Sequence, residues 1–147
     1  MNFFDATGFL KQVLDGDPTR YRDAFLPLAN SAWFLQDLDT ARWAADQAVE
    51  AYPDAPGAWL ERGRIAMAQF LAAQGEEPEG ARTATRWSET AESFQRAVEL
   101  YGTPATEAAQ ARLAEAATQL GHAMMWKQKG PEATEAFGTA IAFDPQG

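Results

Sequence analysis

The 147-residue chain contains no cysteine and a single histidine, His122. The first absence leaves no disulfide framework and no thiolate chemistry. The second excludes a paired-histidine metal site and a relay through two histidines. The sequence also lacks H-E-x-x-H, G-x-S-x-G, a phosphate-cradling glycine loop and a complete calcium loop. Asp15-Gly16-Asp17-Pro18 begins like a cation loop but has none of the later ligands, and reads as an interhelical turn. Glu76, Glu77 and Glu79 stand on a Gly/Pro stretch with no apolar pocket to separate their pKa values, so paired acid–base work is not expected of them. No metal, cofactor or catalytic residue is therefore assigned. No apolar run approaches the roughly 18 residues of a membrane span. The opening MNFFDATGF lacks the basic and apolar regions of a secretory leader, so a cytoplasmic location is the default expectation. Positive charge is scarce too: 12 Lys and Arg stand against 21 Asp and Glu, a formal net charge of −9. Phosphate backbones are bound by Lys and Arg that release counterions, so no nucleic-acid partner is expected. The acidic residues are spread through both halves, as a solubilising surface or as the complement of a basic partner.

What is present is helix. A composition 46% hydrophobic and 22% charged is globular, and the length suits one domain. Apolar residues recur at helical spacing, with no useful run of period two. The clearest segment is 81–101, where Ala84, Trp87, Ala91, Phe94, Ala97, Val98 and Tyr101 fall three or four apart. Arg82, Arg86, Glu89, Glu92, Gln95 and Glu99 take the other face. Thr103-Pro104 predicts an N-cap followed by proline at the first helical position, opening a long helix over about 104–128. Its alanine-rich first half suits close helix packing. Gln74-Gly75-Glu76-Glu77-Pro78-Glu79-Gly80 reads as a polar loop between helices of about 57–74 and 81–101. Both helices are expected to overhang their neighbours as a protruding hairpin, either a tolerated surface insertion or an elaboration that meets a partner.

Residues 114–147 carry a recurrent frame: Leu120-Gly121, Met124, Ala133, Phe137, Ala140 and Asp144-Pro145. Gly121 would let two helices approach, Phe137 would fill the gap between them, and Pro145 would stop the second. Leu28-Ala29, Ala32, Ala41, Ala45, Ala48 and Pro53 repeat the spacing. A middle copy opens at Trp59, Gly63 and Ala66, and its second half reappears late, at Trp87, Thr90, Phe94, Ala97 and Gly102, after roughly fifteen extra residues relative to the other copies. Ala6, Leu10, Val13 and Asp17-Pro18 look like half of a further unit. The pattern resembles the tetratricopeptide repeat family, with Ala117 and Phe25 in its Trp slot and Met124 in its Tyr slot.

That resemblance implies an all-α, right-handed solenoid of antiparallel helical hairpins with about seven helices. Its expected divisions are an extra helix at 2–18 and repeats at 22–55, 56–102 (enlarged) and 103–147 (with a lengthened first helix). It further implies protein binding without catalysis, as an adaptor, a chaperone or a neutralising partner. The family's inner groove positions fall on Leu26, Asn30, Trp33 and Phe34, on Leu60, Arg64 and Met67, and on Thr118, His122, Met125 and Trp126. Such a surface suits a protein or peptide segment with apolar or basic character; alternatively, its aromatic residues complete the core or pack beneath the N-terminal helix. The carboxylate clamp known in this family is matched only by Asn30. Leu26, Glu61, Glu115 and Gln119 stand in its other slots, and two acidic residues would repel a carboxylate. A self-assembling scaffold is the alternative reading, and a small hydrolase a remote one. For the scaffold, the last helix offers Ala133, Ala136, Phe137, Ala140 and Ile141 as a flank for a homodimer, since repeat arrays otherwise expose their final apolar face.

Overall fold

The computed structural model describes residues 24–143. Among them are six helices and no strand: α1 (Phe25–Phe34), α2 (Leu38–Ala51), α3 (Pro56–Glu76), α4 (Ala81–Tyr101), α5 (Glu107–Trp126) and α6 (Gly130–Phe143). The helix expected at 2–18, the seventh, and the Asp15–Pro18 turn lie outside the described residues. So does Asp144-Pro145.

Connections of three to five residues force successive helices to run antiparallel, and consecutive helices pack as neighbours throughout. The first helices of successive hairpins also touch, α1 against α3 and α3 against α5. The chain is thus a row of stacked hairpins with a tetratricopeptide-like fold. Its core is built largely from alanine, with Phe25, Leu28, Ile65, Phe94 and Leu113 as the large buried members. Small residues at the crossings bring helix axes close, so few bulky side chains are needed to fill the space between them.

The hairpins are pinned at one recurring contact. A Cβ placed on Gly63 would fall 2.7 Å from ring carbons of Phe94, and one on Gly121 would fall 2.5 Å from Phe137. In the first hairpin Ala29 and Ala45, both fully buried, hold the corresponding places. Phe94 follows Gly63 by fifteen more residues than Phe137 follows Gly121, which is the offset read from the sequence. Those residues extend the central hairpin: α1 and α5 end five residues beyond Ala29 and Gly121, whereas α3 runs thirteen beyond Gly63. At about 1.5 Å per residue, the tip of α3 overhangs by about 12 Å.

The helix ends differ from expectation in two places. Gln74, Gly75 and Glu76 belong to α3, and only 77–80 form the turn. The Gly75 Cβ position is open space, so the glycine costs only helix propensity. The turn is instead fixed by Glu77 N–H donating to Ala73 O and by Thr83 Oγ1 donating to Glu77 O at 2.6 Å. The cap of α5 is Thr106, whose hydroxyl accepts from Ala109 N–H at 3.1 Å, and not Thr103. Asp37 caps α2 by accepting from Thr40 N–H at 3.2 Å, and Pro56 opens α3.

The two outer turns share a conformation with no obvious sequence mark. Gln36 and Gln128 have φ of 60° and 58°, left-handed values uncommon outside glycine. In each, the next residue's N–H reaches back five positions, Asp37 to Ala32 O and Lys129 to Met124 O, both at 2.9 Å. This is the Schellman closure of a helix with glutamine where glycine is usual.

Candidate partner-binding surface

The first helix of each hairpin delivers its C-terminal end to the same edge of the row, because α1, α3 and α5 run parallel. There the chain exposes large apolar side chains: Trp33 and Phe34 from α1, Leu71 from α3, and Met125 and Trp126 from α5. Trp33, Phe34, Gln36, Leu38 and Ala68 line an open recess of about 480 Å³. On the other side of α3, Phe70 meets Trp126 edge to face, with ring centroids 5.7 Å apart. Helical geometry places Leu71 between those two flanks, since Ala68, Leu71 and Phe70 are successive steps around one turn of α3. Isolated exposed apolar residues are ordinary; a row drawn from three helices and centred on an overhanging one is not.

The other expected groove residues are placed differently. Leu60 is buried in the core, 2% exposed, beside Phe94, Ala97 and Leu120, and has no groove surface to offer. Leu26 and Met67 are partly buried against core clusters. Asn30 and His122 are exposed, His122 lying edge-on to Phe137 at 5.4 Å. Thr118 donates its hydroxyl to Ala114 O, a bond within its own helix. Leu71, which the spacing rule skips, is 47% exposed and joins the row. The overhang brings it there, because an ordinary first helix would have ended before this position.

Arg64 forms the polar lower part of this surface. Its Nε and Nη2 each donate at 2.6 Å to the two oxygens of Glu115, and its Nη1 donates to Glu61 at 2.9 Å. The hydrogen bonds from Arg64 hold the Glu115 carboxyl below its usual range, despite the opposing effect of burial. Glu61 and Glu115 therefore do not face the groove as bare charges. Both acids in the slots compared with the carboxylate clamp are bonded to Arg64, which links α3 to α5. Burial, next to Arg64, Arg112 and Glu115, pushes the Tyr101 phenol up.

A second ionic network ties α2, α3 and α4 together, and nothing in the sequence marked it. Arg42 is 7% exposed. It donates to Glu89, to Gln69 Oε1 at 2.9 Å and to Asp46 Oδ1 at 2.9 Å. Arg62 donates to the same Asp46 oxygen at 2.9 Å, to Glu92 and to Ser93. Burial alone would raise the Glu89 carboxyl, but bonding to Arg42 and the charges of Arg42 and Arg86 hold it below its usual range. Thr90 and Ser93 on α4 are fully buried and donate to the carbonyls of Arg86 and Glu89. Thr83 is buried as well, whereas Ala84, assigned to the apolar face, is exposed. The buried stripe of α4 is accordingly half polar.

The flank expected to self-associate is largely covered within the chain. Ala133, Ala136 and Ala140 are 2%, 6% and 7% exposed, because α6 packs against α5 and Ala136 joins the core cluster of Phe94 and Ala97. Phe137 is half-buried against Gly121, and Ile141, 63% exposed, is what remains of that flank. Among the described residues no group of three or more His, Asp or Glu could hold a metal ion, and no helix is long and apolar enough to cross a membrane.

No family model matches the sequence, and no curated protein matches it. Solved structures do. The chain is similar to a thermophilic TPR protein, TTC0263, of Thermus thermophilus, with a TM-score of 0.52 at 13% identity over 98% of this chain and 84% of that chain. A crystal structure of MamA overlays more loosely, with a TM-score of 0.39 at 18% identity over 98% of this chain and 90% of that chain. At these identities the likeness is one of fold.

Proposed function

We propose that this protein is a non-enzymatic binding module that holds a protein or peptide segment against the apolar row at the ends of α1, α3 and α5. The observation that carries the reading is the arrangement of Trp33, Phe34, Leu71, Met125 and Trp126, five large apolar side chains from three helices along one edge of the row. Tryptophan and methionine give such a surface large contact area and the ability to adapt to a partner. The fold supports the reading, since stacked hairpins create long surfaces along which a segment can lie. Repeat boundaries at 22–55, 56–102 and 103–147 belong to the same proposal. The roles of adaptor, chaperone or neutralising partner all use this surface in the same way. Self-assembly through α6 has a narrower basis, Ile141 and part of Phe137.

The test pairs Trp33→Ala with Trp126→Ala. Partners are captured from cell extract on the wild type, and affinity for the recovered partner is then measured for each variant. Each truncation should weaken binding by on the order of 2 kcal/mol, as aromatic hot spots do, while the melting temperature changes little. A sharp loss of melting temperature with unchanged affinity per folded molecule would show that the row is core.

A further inference from the structure

The groove over α5, between α4 and α6, is built on the same positions as the groove over α3, between α2 and α4. Relative to the close contacts of Gly63 on Phe94 and Gly121 on Phe137, Glu89 and Glu92 of α4 correspond to Glu132 and Glu135 of α6. In the first groove both carboxylates are neutralised. Arg42 of α2 donates to Glu89, and Arg62 of α3 donates to Glu92 at 3.0 Å. The second groove keeps the acids and drops the bases, with Ala91 in the place of Arg42 and Leu120 in that of Arg62. Neither Glu132 nor Glu135 has an arginine or lysine among the described residues within ion-pair distance. The nearest cations in sequence, Lys127 and Lys129, lie over the Trp87 ring instead, 5.4 and 5.7 Å from its centroid.

The second groove holds an open recess of about 190 Å³. Val98, Leu120 and Met124 give it an apolar wall, and Gln95, Glu132 and Glu135 a polar one. Gln95 stands where the first groove has Asp46, whose Oδ1 accepts from both arginines. The Gln95 Nε2 is committed to Glu99 at 3.1 Å, which leaves its amide oxygen as an acceptor.

We propose that this recess takes an arginine side chain of a partner protein, its guanidinium between Glu132 and Glu135 and its stem on Leu120 and Met124. The ligand is the group that the preceding hairpin supplies from its own helices. Arginine suits the recess better than lysine, because its planar fork serves several oxygens at once while its aliphatic stem covers apolar surface. Every arginine among the described residues already lies within ion-pair distance of a carboxylate, so a second copy would have to break a pair to donate one. None of the recess residues belongs to the apolar row, so this surface is separate from the one proposed above.

Random peptides displayed on phage, selected on the full chain and counter-selected on the double variant Glu132→Gln/Glu135→Gln, test this directly. Both glutamates are exposed, so the double variant should melt as the wild type does. The surviving peptides should share an arginine. Replacing it with citrulline, or binding to the double variant, should weaken affinity on the order of tenfold, and lysine in its place should recover only part. Trp33→Ala should leave these affinities unchanged. Survivors without a common arginine, lysine equal to arginine, or no survivors would overturn the site and leave the apolar row untouched. A wild-type dimer that the double variant dissolves in sedimentation would make the donor a second copy and overturn the foreign partner.

Discussion

The α1–α2 and α5–α6 hairpins close with three-residue turns in which Gln36 and Gln128 take left-handed φ, whereas α3 and α4 run on beyond the level of those turns and close at 77–80. The central pair shares the glycine-on-phenylalanine contact of the last pair, Gly63 on Phe94 and Gly121 on Phe137. It differs in what surrounds that contact. Arg42, Arg62 and Arg64 reach carboxylates on neighbouring helices around the central pair, while the ring of Phe137 borders solvent and exposed His122. One local packing rule therefore sits in two environments. The central copy is enclosed by neighbours on both sides, and the terminal copy is enclosed on one.

The largest expected effect separates the two phenylalanines. Phe94 is fully buried, so Phe94→Ala should cost about 3–5 kcal/mol, the usual range for emptying an aromatic site in a core. Phe137→Ala, at a half-buried ring, should cost clearly less in urea denaturation. Equal losses would mean that the end of the row is as tightly enclosed as its middle.

Adding a methyl group probes the same contrast from the other side. Gly63→Ala forces the Phe94 ring, which has no room to move, and overpacking of this kind costs about 1–3 kcal/mol. The gain in helix propensity of about 1 kcal/mol offsets part of that. Gly121→Ala meets a closer ring, but Phe137 can tilt towards solvent, and its net change should be the smaller of the two. Thermal melts of both variants give the comparison.

The ionic network predicts a pH response centred on the middle of the chain. The Glu89 and Glu115 carboxyls are held below their usual range in the folded protein. A depressed folded pKa adds stability that is present above the unfolded value and is lost as pH falls through the folded one. Stability should thus decline with acidification through and below the ordinary carboxylate range. Glu89→Gln should lower stability by on the order of 1–2 kcal/mol at neutral pH and flatten that decline. Urea titrations from neutral to acid pH would show it; parallel curves for variant and wild type would remove Glu89 from the network's energetics.

The smallest effect concerns the outer turns and is stabilising. Gln36→Gly and Gln128→Gly relieve a left-handed residue bearing a Cβ, and each should add a few tenths of a kcal/mol up to about 1. Added unfolded-state entropy keeps the gain modest. Losses at both sites would show that the glutamine side chains contribute contacts of their own.

Much of this was legible before the structure. Gly121, Phe137 and the displaced pair Gly63 and Phe94 could be matched because close helix approach needs a missing side chain opposite a large one, and that requirement leaves its trace in residue type. The overhang followed from the same spacing. Leu60 and the alanines of α6 were misplaced because a position count assigns a face without knowing which neighbour already covers it. The capping threonine was misread because Thr103 and Thr106 are equally able to cap, and the path of the α4–α5 connection selects between them.

The sequence alone determined the helices, their hairpin pairing and the sites of closest approach, since periodicity and small residues act over one or two turns. Only the tertiary structure decided which charges and which aromatic rings meet. Arg42 and Glu89 are 47 residues apart, Arg64 and Glu115 are 51, and Phe70 finds Trp126 across two hairpins. Partners at such separations are chosen by how the hairpins stack, and an arginine on a helix face looks the same in sequence whether its carboxylate lies on the next helix or nowhere. The apolar row at the ends of α1, α3 and α5 arises in the same way, from three segments that share a surface only once the hairpins have stacked.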